Sequence, residues 1–201
     1  MSEFIYRYVP GKRAETLLLL HGTGGNETDL LALGAAVLPG AGLLSPRGRV
    51  LEHGMPRFFR RLAEGVFDEE DVKARAAELG AWVRAMAEEH GFDPGRVMPL
   101  GYSNGANIGA AMMLTGAARF PRAVLVRAMV PLTPERPPDL AGDEVLLERG
   151  LYDPMATAAQ TKRLRGMLEE AGAKVTEHSA RSGHELAKED IEAAAHWLAR
   201  G

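Results

Sequence analysis

One serine stands in a segment that is typical of a nucleophile held on a tight turn. Gly101-Tyr102-Ser103-Asn104-Gly105 follows an apolar run and precedes a stretch with helical periodicity. A serine on such a strand-to-helix turn has a strained backbone, and glycine two positions away on either side leaves room for the neighbouring elements. The first amides of the following helix could stabilise negative charge on a substrate oxygen. The spacing therefore predicts that Ser103 is a nucleophile, and the alternative is a tight turn without chemistry.

An aspartate later in the chain can support this chemistry. A serine hydroxyl needs a base, and the base needs a third group to hold it. Where a serine lies on such a turn, the acid follows it in the chain and the histidine comes last. Asp153 lies between the apolar run at residues 145–148 and a helical pattern, so we predict that it is the acid. The same position suits an N-cap of that helix, and Asp139 and Asp143 are weaker candidates because they precede the apolar run.

The histidine predicted to act as the base is His184. It lies in Arg181-Ser182-Gly183-His184-Glu185-Leu186, after the last predicted strand and before the last predicted helix. The other histidines are less suitable, because they precede the serine or lie within a predicted strand or helix: His21, His53, His90, His178 and His196. The alternative for His184 is an ordinary histidine at the surface or at the edge of the core.

A glycine-rich segment, Leu20-His21-Gly22-Thr23-Gly24-Gly25-Asn26, follows the first strong apolar run. In hydrolases of this design, one amide that binds the substrate oxyanion comes from such a loop and the other from the residue after the nucleophile. We therefore predict that the N–H groups of Thr23 and Asn104 form the oxyanion hole. Phosphate binding is the alternative, but the segment lacks the lysine and the spacing of nucleotide-binding motifs.

A long segment with several arginines and paired aromatic residues, residues 47–67, is predicted to be a loop. Within it, Met55, Phe58 and Phe59 are candidates for the wall of a substrate pocket, because such pockets are mostly apolar. The alternative is that the two phenylalanines anchor the loop to the sheet. Adjacent side chains usually point in opposite directions, so only one of the two phenylalanines is expected to face the site.

Apolar runs alternate along the chain with longer segments of helical periodicity. Continuous apolar strands between amphipathic helices predict a mostly parallel sheet with helices on both faces. We therefore expect one α/β domain over residues 1–201. The predicted strands are residues 16–20, 42–45, 97–101, 123–127, 145–148 and 174–178, and the predicted helices are residues 28–37, 69–89, 104–114, 156–171 and 187–199.

The composition excludes several classes of function. The chain has 201 residues, 24 Lys and Arg against 27 Asp and Glu, and a formal net charge of -3, so it offers no basic surface for nucleic acid or an acidic membrane. It has no cysteine, which excludes a disulfide, a thiolate metal site and a cysteine nucleophile. No targeting pattern is visible, and no apolar segment approaches the roughly 20 residues of a membrane span. We expect a soluble, cytoplasmic protein with a small-molecule substrate, and a homodimer remains open.

Together these motifs resemble the phospholipase/carboxylesterase family of small α/β-hydrolases, which includes acyl-protein thioesterases and bacterial carboxylesterases. The resemblance runs from about residue 16 to residue 198 and rests on LLLLHGTGGNETDL, GYSNGANI, MVPL, the Asp153 segment and GHEL. The segments SPRG and GMPRFFRR are more similar to a bacterial subgroup that includes esterases linked to hydroquinone and quinone stress. The resemblance implies an α/β-hydrolase fold without a cap domain, the triad Ser103, Asp153 and His184, and no cofactor or metal.

The sequence departs from the pattern of this family in three places. Pro99 lies within the strand before the serine, so we expect a local distortion there or a position that needs no ladder hydrogen bond. Ala156-Thr157 replaces a more usual Val-Pro, and Ser182 replaces a more usual glycine, so both loops are expected to differ in geometry. None of these changes removes a predicted catalytic group.

The motifs and the resemblance favour one hypothesis, a serine carboxylesterase that hydrolyses small soluble esters through an acyl-enzyme. An acyl-thioesterase or lysophospholipase would use the same residues and differ only in its pocket. A hydrolase-fold protein that binds a small ligand without catalysis is the third alternative, although such proteins commonly lack one member of the triad.

Overall fold

The apolar runs of the sequence form the strands of a central sheet. The computed structural model describes residues 4–200. Over that range the strands are β1 Tyr6–Val9, β2 Thr16–Leu20, β3 Gly42–Pro46, β4 Val50–Glu52, β5 Met55–Arg57, β6 Arg61–Ala63, β7 Val66–Phe67, β8 Val97–Tyr102, β9 Arg122–Val126, β10 Glu144–Gly150 and β11 Lys174–Ala180. The helices are α1 Leu31–Val37, α2 Glu69–His90, α3 Asn104–Leu114, α4 Ala158–Glu170 and α5 Lys188–Leu198, with a 3-10 turn at Pro94–Arg96.

The main sheet is almost entirely parallel. Within residues 4–200 its strand order is β1-β3-β2-β8-β9-β10-β11, and β1 is the antiparallel member. Parallel neighbours need long crossover connections, and the helices supply them. The carboxyl ends of the parallel strands therefore lie at one edge of the sheet, where the turns after β2, β8, β10 and β11 come together.

Helices cover both faces of this sheet, each over its own apolar core. α2, α3 and α4 pack on one face, where the core includes Val72, Ile108 and Leu164. α1 and α5 pack against each other on the opposite face, where the core includes Val37 and Trp197. The α/β architecture predicted from the alternating pattern is confirmed. None of the helices in the described part of the chain has the length and apolarity to cross a membrane.

Residues 47–67, predicted to be one loop, contain two short β-hairpins. β4 pairs with β5, and β6 pairs with β7. His53 and Gly54 connect β4 to β5 with φ angles of 50° and 81°, as a two-residue hairpin turn with both central residues in the left-handed region requires. Strands of two or three residues are too short to produce a recognisable alternation of apolar and polar side chains. The sequence pattern therefore does not reveal them.

Pro99 is accommodated without interrupting β8. It lies opposite Leu18 of β2, whereas pairing with β9 on the other side begins at Leu100. The β8–β9 ladder therefore starts immediately after the residue that lacks an N–H group. This arrangement explains how a central strand tolerates a proline, which is otherwise confined to edges and bulges.

The largest difference in helix bounds is at α1, which begins at Leu31 and not at residue 28. The side chain of Asn26 accepts hydrogen bonds from the N–H of Thr28, at 2.8 Å, and from its hydroxyl, at 2.6 Å. These bonds hold the segment in a turn, because Asn side chains compete with the helical hydrogen bonds of the backbone. β1 is a strand that the sequence analysis does not predict, since its side chains alternate only between half-buried and exposed.

Candidate active site

Ser103 lies in a strained turn between β8 and α3. Its φ of 52° is in the left-handed region, which residues with a side chain rarely adopt. A Cβ atom at Gly101 would approach the Gly105 carbonyl oxygen to 2.6 Å, and a Cβ atom at Gly105 would approach the Leu20 carbonyl oxygen to 1.9 Å. Both glycines are therefore required for the turn to pack against its neighbours, which is the reason given above for the spacing of the motif.

The structure brings Ser103, His184 and Asp153 into one line of hydrogen bonds. Ser103 Oγ lies 2.8 Å from His184 Nε2, and His184 Nδ1 lies 2.8 Å from Asp153 Oδ2. The buried Asp153 side chain also accepts hydrogen bonds at Oδ1 from the N–H groups of Met155, at 2.8 Å, and Ala156, at 3.0 Å. The carboxylate is thus held in place by one oxygen and binds the imidazole with the other. Such an arrangement can move a proton from the serine hydroxyl to the imidazole.

The alternative role of Asp153, an N-cap of the next helix, belongs to another residue. α4 begins at Ala158, and its N-cap is Thr157, whose hydroxyl accepts from the N–H of Gln160 at 3.4 Å. Asp153 instead closes the turn that precedes the helix. The competing Asp143 lies immediately before β10, where it accepts a hydrogen bond from Arg119 at 3.0 Å.

Two side chains, one at the end of β8 and one directly after β9, hold the segment that carries His184. The Tyr102 hydroxyl donates to the His184 carbonyl oxygen at 2.9 Å. Arg127 is fully buried and donates from Nε to the Gly183 carbonyl oxygen at 3.0 Å and from Nη2 to the Glu185 carbonyl oxygen at 3.1 Å. These two carbonyls flank the histidine, so Arg127 holds the backbone on both sides of it.

Arg127 is a site residue that the sequence analysis does not identify. It follows β9 with a φ of 57°, and its guanidinium binds the Asp190 carboxylate of α5 at 3.0 Å and 2.6 Å. Asp190 also accepts from the N–H of Ala187, at 2.8 Å, just before that helix begins. An arginine at the end of an apolar run is a signal of a buried ion pair, but the partner lies 63 positions away. Sequence patterns do not connect the two.

Two departures from the family pattern have a structural role in these loops. Ser182 is buried, and its hydroxyl accepts a hydrogen bond from Arg127 Nη2 at 2.7 Å. A glycine at this position would lack that acceptor, so the serine adds a hydrogen bond to the anchor of the His184 segment. Thr157 supplies a side-chain N-cap for α4, which a proline lacks.

The two residues predicted to form the oxyanion hole line the same cavity as Ser103 and His184. Asn104 is the first residue of α3, and its side-chain Oδ1 accepts from the N–H of Phe58 at 2.7 Å. Thr23 lies in the turn after β2, and its hydroxyl accepts from Arg57 Nη1 at 2.7 Å. The end of β5 and the residue that follows it therefore hold the side chains of both residues in place.

His21 supports the loop of Thr23 and takes no part in the line of hydrogen bonds at Ser103. Its Nε2 accepts from the N–H of Gly48 at 2.9 Å, so Nδ1 carries the proton and donates to the Gly22 carbonyl oxygen at 2.6 Å. Burial lowers the pKa of His21, which keeps the ring neutral.

The cavity beside Ser103 has a volume of about 270 Å³. Its wall combines apolar side chains with two guanidinium groups: Phe67, Met129, Met155, Arg57 and Arg61. Arg57 and Arg61 are further residues that the sequence analysis does not assign to the site. The available signal is their position in an unusually arginine-rich stretch next to Phe58-Phe59.

The predicted pocket residues Met55, Phe58 and Phe59 do not line this cavity. Phe58 packs on the ring of His21 at 4.8 Å, and Phe59 is buried with its ring edge-on to Phe67 at 5.2 Å. Met55 is 41% exposed and lies beside Gly24. The anchor interpretation thus describes both phenylalanines, because the backbone of this segment is bonded to the Asn104 side chain and both rings enter the core.

A second buried acid lies within β10, beneath the His184 segment. Both carboxyl oxygens of Glu148 lack a hydrogen-bond partner among the described residues. Burial first, and the negative charge of Asp190 second, raise the pKa of Glu148 to about 9, and the positive charge of Arg127 opposes that rise. Glu148 is therefore protonated at neutral pH, so the ion pair of Arg127 and Asp190 has no second negative charge beside it.

The fold and the site together define the class of this protein. A mostly parallel sheet, a serine on a strained strand-to-helix turn, and an acid and a histidine on later turns are the features of an α/β-hydrolase. A model of the family described as phospholipase/carboxylesterase matches residues 9–200. The chain belongs to this family, and the resemblance inferred from its motifs is confirmed.

Similar proteins match over almost the whole chain. The Bacillus subtilis (strain 168) protein MhqD is 45% identical over 190 residues, which are 94% of this chain and 95% of MhqD. The crystal structure of the Bacillus cereus carboxylesterase has a TM-score of 0.93 at 44% identity and covers 96% of this chain and 92% of that one. The structure of YahD with malic acid has a TM-score of 0.93 at 30% identity and covers 100% and 99%. The predicted α/β-hydrolase fold is confirmed.

Proposed function

We propose that this protein is a serine carboxylesterase that hydrolyses small, water-soluble carboxylic esters through an acyl-enzyme. The observation that carries the proposal is the line of hydrogen bonds from Ser103 through His184 to Asp153 at the wall of a cavity. Membership of the phospholipase/carboxylesterase family supports ester hydrolysis as the reaction, as does the likeness to the Bacillus cereus carboxylesterase.

In the first half of the reaction, Ser103 Oγ attacks the ester carbonyl carbon while His184 Nε2 accepts the hydroxyl proton. The carbonyl oxygen becomes negatively charged and accepts hydrogen bonds from the N–H groups of Thr23 and Asn104. Asp153 holds the imidazole with its Nδ1 protonated and stabilises the imidazolium. The imidazolium then donates its proton to the alcohol oxygen as the C–O bond breaks, and the serine is left acylated.

In the second half of the reaction, water replaces the alcohol. His184 Nε2 accepts a proton from the water as the water oxygen attacks the acyl carbon. The tetrahedral intermediate then expels Ser103 Oγ, which takes the proton back from His184, and the carboxylic acid leaves. The cycle consumes one water molecule and needs no cofactor.

The cavity favours small substrates over lipids. Its volume of about 270 Å³ is near the lower end of ligand pockets, which run from roughly 300 to 1,000 Å³. The hairpins β4–β5 and β6–β7 are short, hold one arginine each and expose only four large apolar side chains: Leu51, Met55, Leu62 and Val66. They offer no extended apolar lid of the kind that exposes a large surface at a lipid interface. We therefore expect no activation by aggregated substrate.

An acyl-thioesterase or lysophospholipase would follow the same steps, so only the substrate separates these activities from an esterase. The small cavity favours short acyl groups. A ligand-binding role without catalysis is disfavoured because Ser103, His184 and Asp153 are all present and hydrogen-bonded to one another.

Labelling with a fluorophosphonate tests the nucleophile. We expect the native protein to be labelled and Ser103→Ala to be unlabelled. Ser179→Ala, which removes a hydroxyl from β11, is the matched control and should be labelled like the native protein. Equal labelling of Ser103→Ala and the native protein would contradict the proposal.

A series of p-nitrophenyl esters and the matching thioesters tests the substrate class. We expect the highest kcat/KM for short acyl esters and no change of slope where the substrate begins to aggregate. A sharp rise in rate above the aggregation threshold, or a preference for acyl chains longer than about ten carbons, would indicate a lipase-like enzyme instead. Higher kcat/KM for the thioesters would support a thioesterase.

A further inference from the structure

Two arginines lie in the wall of the cavity beside Ser103. Arg57 is the last residue of β5 and Arg61 is the first residue of β6, and both line the cavity together with Ser103 and His184. The exposed fraction of the side chain is 3% for Arg57 and 28% for Arg61. Neither residue takes part in the steps of ester hydrolysis described above, so their place in the wall calls for a separate explanation.

The two guanidinium groups share one carboxylate. Glu52 Oε1 accepts a hydrogen bond from Arg61 Nε at 2.8 Å, whereas Glu52 Oε2 is 3.5 Å from Arg57 Nη1 and has no hydrogen bond. Glu64, which also lines the cavity, is exposed in the turn between β6 and β7, where water and salt screen its charge. The wall therefore presents two positive charges against one close counter-charge.

Several donors of these arginines have no acceptor in the described part of the chain. Arg57 donates from Nε to the Phe59 carbonyl oxygen at 3.2 Å and from Nη1 to the Thr23 hydroxyl at 2.7 Å. Among residues 4–200, no hydrogen bond is formed by Arg57 Nη2 or by either Nη atom of Arg61. Burial lowers the pKa of Arg57, although an arginine stays charged. These unused donors are accessible from the cavity, so the oxygens of a ligand can accept hydrogen bonds from them.

The contact between Arg57 and Thr23 determines where such a ligand lies. Thr23 is one of the two residues proposed to bind the oxyanion, and Arg57 Nη1 is in hydrogen-bond contact with its side chain. Both arginines and Ser103 line one cavity of about 270 Å³. An anionic group bound by the two arginines is thus a few bonds from the reacting carbonyl. The planar guanidinium group matches the geometry of a carboxylate.

We propose that Arg57 and Arg61 bind a carboxylate of the substrate, so that the preferred substrates are half-esters of short dicarboxylic acids. The inference rests on the proposed ester hydrolysis and specifies its substrate class. Arg61 is the more exposed of the pair and binds the carboxylate with its Nη groups, while Arg57 adds positive charge next to Thr23.

A matched pair of esters tests this specificity. One is the p-nitrophenyl half-ester of glutarate, and the other carries an isopropyl group in place of the free carboxylate. At low salt we expect kcat/KM of the native enzyme to be at least about tenfold higher for the charged ester, since a charge-assisted contact of this kind is among the stronger hydrogen bonds. This ratio should fall close to one in Arg61→Gln and be partly retained in Arg61→Lys, which keeps the charge.

Arg60→Gln is the matched control, because it removes a positive charge from the same segment outside the cavity. The Arg60 side chain is 62% exposed and pairs with Asp68. In Arg60→Gln the ratio of kcat/KM for the charged ester to that for the uncharged ester should equal the ratio of the native enzyme. A native ratio near one, or an equal ratio in Arg61→Gln and Arg60→Gln, would overturn the proposed carboxylate site.

Thermal unfolding with free glutarate separates this inference from the proposed function. We expect glutarate to raise the Tm of the native protein and of Arg60→Gln but not that of Arg61→Gln, because a ligand that binds the folded state stabilises it. If neither ester is hydrolysed but glutarate binding depends on Arg61, ester hydrolysis is wrong and the carboxylate site stands. If both esters are hydrolysed at equal rates and glutarate has no effect, the esterase stands and the carboxylate site is wrong.

Discussion

Asp153 and Glu148 are two buried acids on the same stretch of chain, but their surroundings are opposite. Asp153 lies in the turn after β10 and receives hydrogen bonds from His184 and from two backbone N–H groups. Glu148 lies within β10 itself, and both of its oxygens lack a partner among the described residues. The two acids are about equally removed from water, with 7% and 2% of the residue exposed.

The difference teaches that the backbone around a buried acid decides whether the acid finds hydrogen-bond donors. In the middle of a sheet the N–H groups on both sides of β10 are used by the ladders to β9 and β11, so the Glu148 side chain finds no donor within residues 4–200. Its pKa rises to about 9, because burial disfavours the charged form. In the turn after the strand, the N–H groups of Met155 and Ala156 are free to bind a carboxylate. These two hydrogen bonds hold the Asp153 side chain beside His184.

The largest expected effect comes from neutralising Asp153. Asp153→Asn should lower kcat for p-nitrophenyl acetate by about 10⁴-fold, because an amide neither selects the correct tautomer of His184 nor stabilises the imidazolium. Glu148→Gln should leave kcat unchanged, since Glu148 is already neutral. An equal loss of activity in Asp153→Asn and Glu148→Gln would contradict the different roles assigned to the two acids.

Asp143→Asn is the control for the choice of acid. Asp143 is buried and pairs with Arg119, but it precedes β10. Its replacement should leave kcat near the native value even if it lowers the Tm. Near-native turnover in Asp153→Asn together with a large loss in Asp143→Asn would reverse the assignment.

The next effect concerns Arg127, whose positive charge acts on the neutral Glu148. Arg127→Met should lower the free energy of unfolding by about 3–5 kcal/mol, because it leaves the Asp190 carboxylate buried without its partner. It should also lower kcat, since the carbonyls on either side of His184 lose their donors. Chemical denaturation and steady-state kinetics measure the two effects. Unchanged kcat in folded Arg127→Met would show that Arg127 supports only the fold.

Ser182→Gly is a milder version of the same experiment. It removes one acceptor from Arg127 and keeps the ion pair with Asp190. We expect a loss of about 1 kcal/mol in the free energy of unfolding. A larger loss than in Arg127→Met would assign the anchoring of the His184 segment to the serine.

A separate effect, on the pH dependence of the free energy of unfolding, belongs to Glu148. Between its ordinary value of 4.5 and about 9, the folded protein binds a proton that the unfolded chain releases. The stability contributed by this group is therefore complete below the ordinary value and is lost as the pH rises through about 9, by at most about 1.4 kcal/mol per pH unit. Glu148→Gln lacks this titration, so its free energy of unfolding relative to the native protein should increase with pH over that range. Parallel curves for the two proteins would show that Glu148 is charged in the folded state.

Local patterns predict regular elements best where the pattern is long. The bounds of α3 and β2 match the prediction, because apolar runs and helical periodicity are properties of neighbouring residues. The hairpins between residues 50 and 67 are missed because their strands have only two or three residues. β1 is missed because an edge strand that is half exposed has no strong apolar pattern.

The candidate site likewise has a part that local patterns predict and a part that they do not. Motif spacing and chain order single out Ser103, Asp153 and His184, since each follows a strand at the same edge of a parallel sheet. The wall of the cavity could not be predicted in this way. Two adjacent phenylalanines look like pocket residues, yet both rings enter the core, while the arginines on either side of them reach the cavity.

The sequence by itself determined the family and the α/β architecture, and it singled out Ser103, Asp153 and His184 as the candidate site, because these depend on local periodicity and on short motifs with strict steric needs. Only the tertiary structure decided that Arg127 anchors the His184 segment, that the Glu148 carboxyl has no partner among the described residues and that Arg57 and Arg61 line the cavity. The reason is physical. A side chain's charge, partners and exposure depend on atoms that packing brings together from distant parts of the chain, and no pattern of neighbouring residues records them.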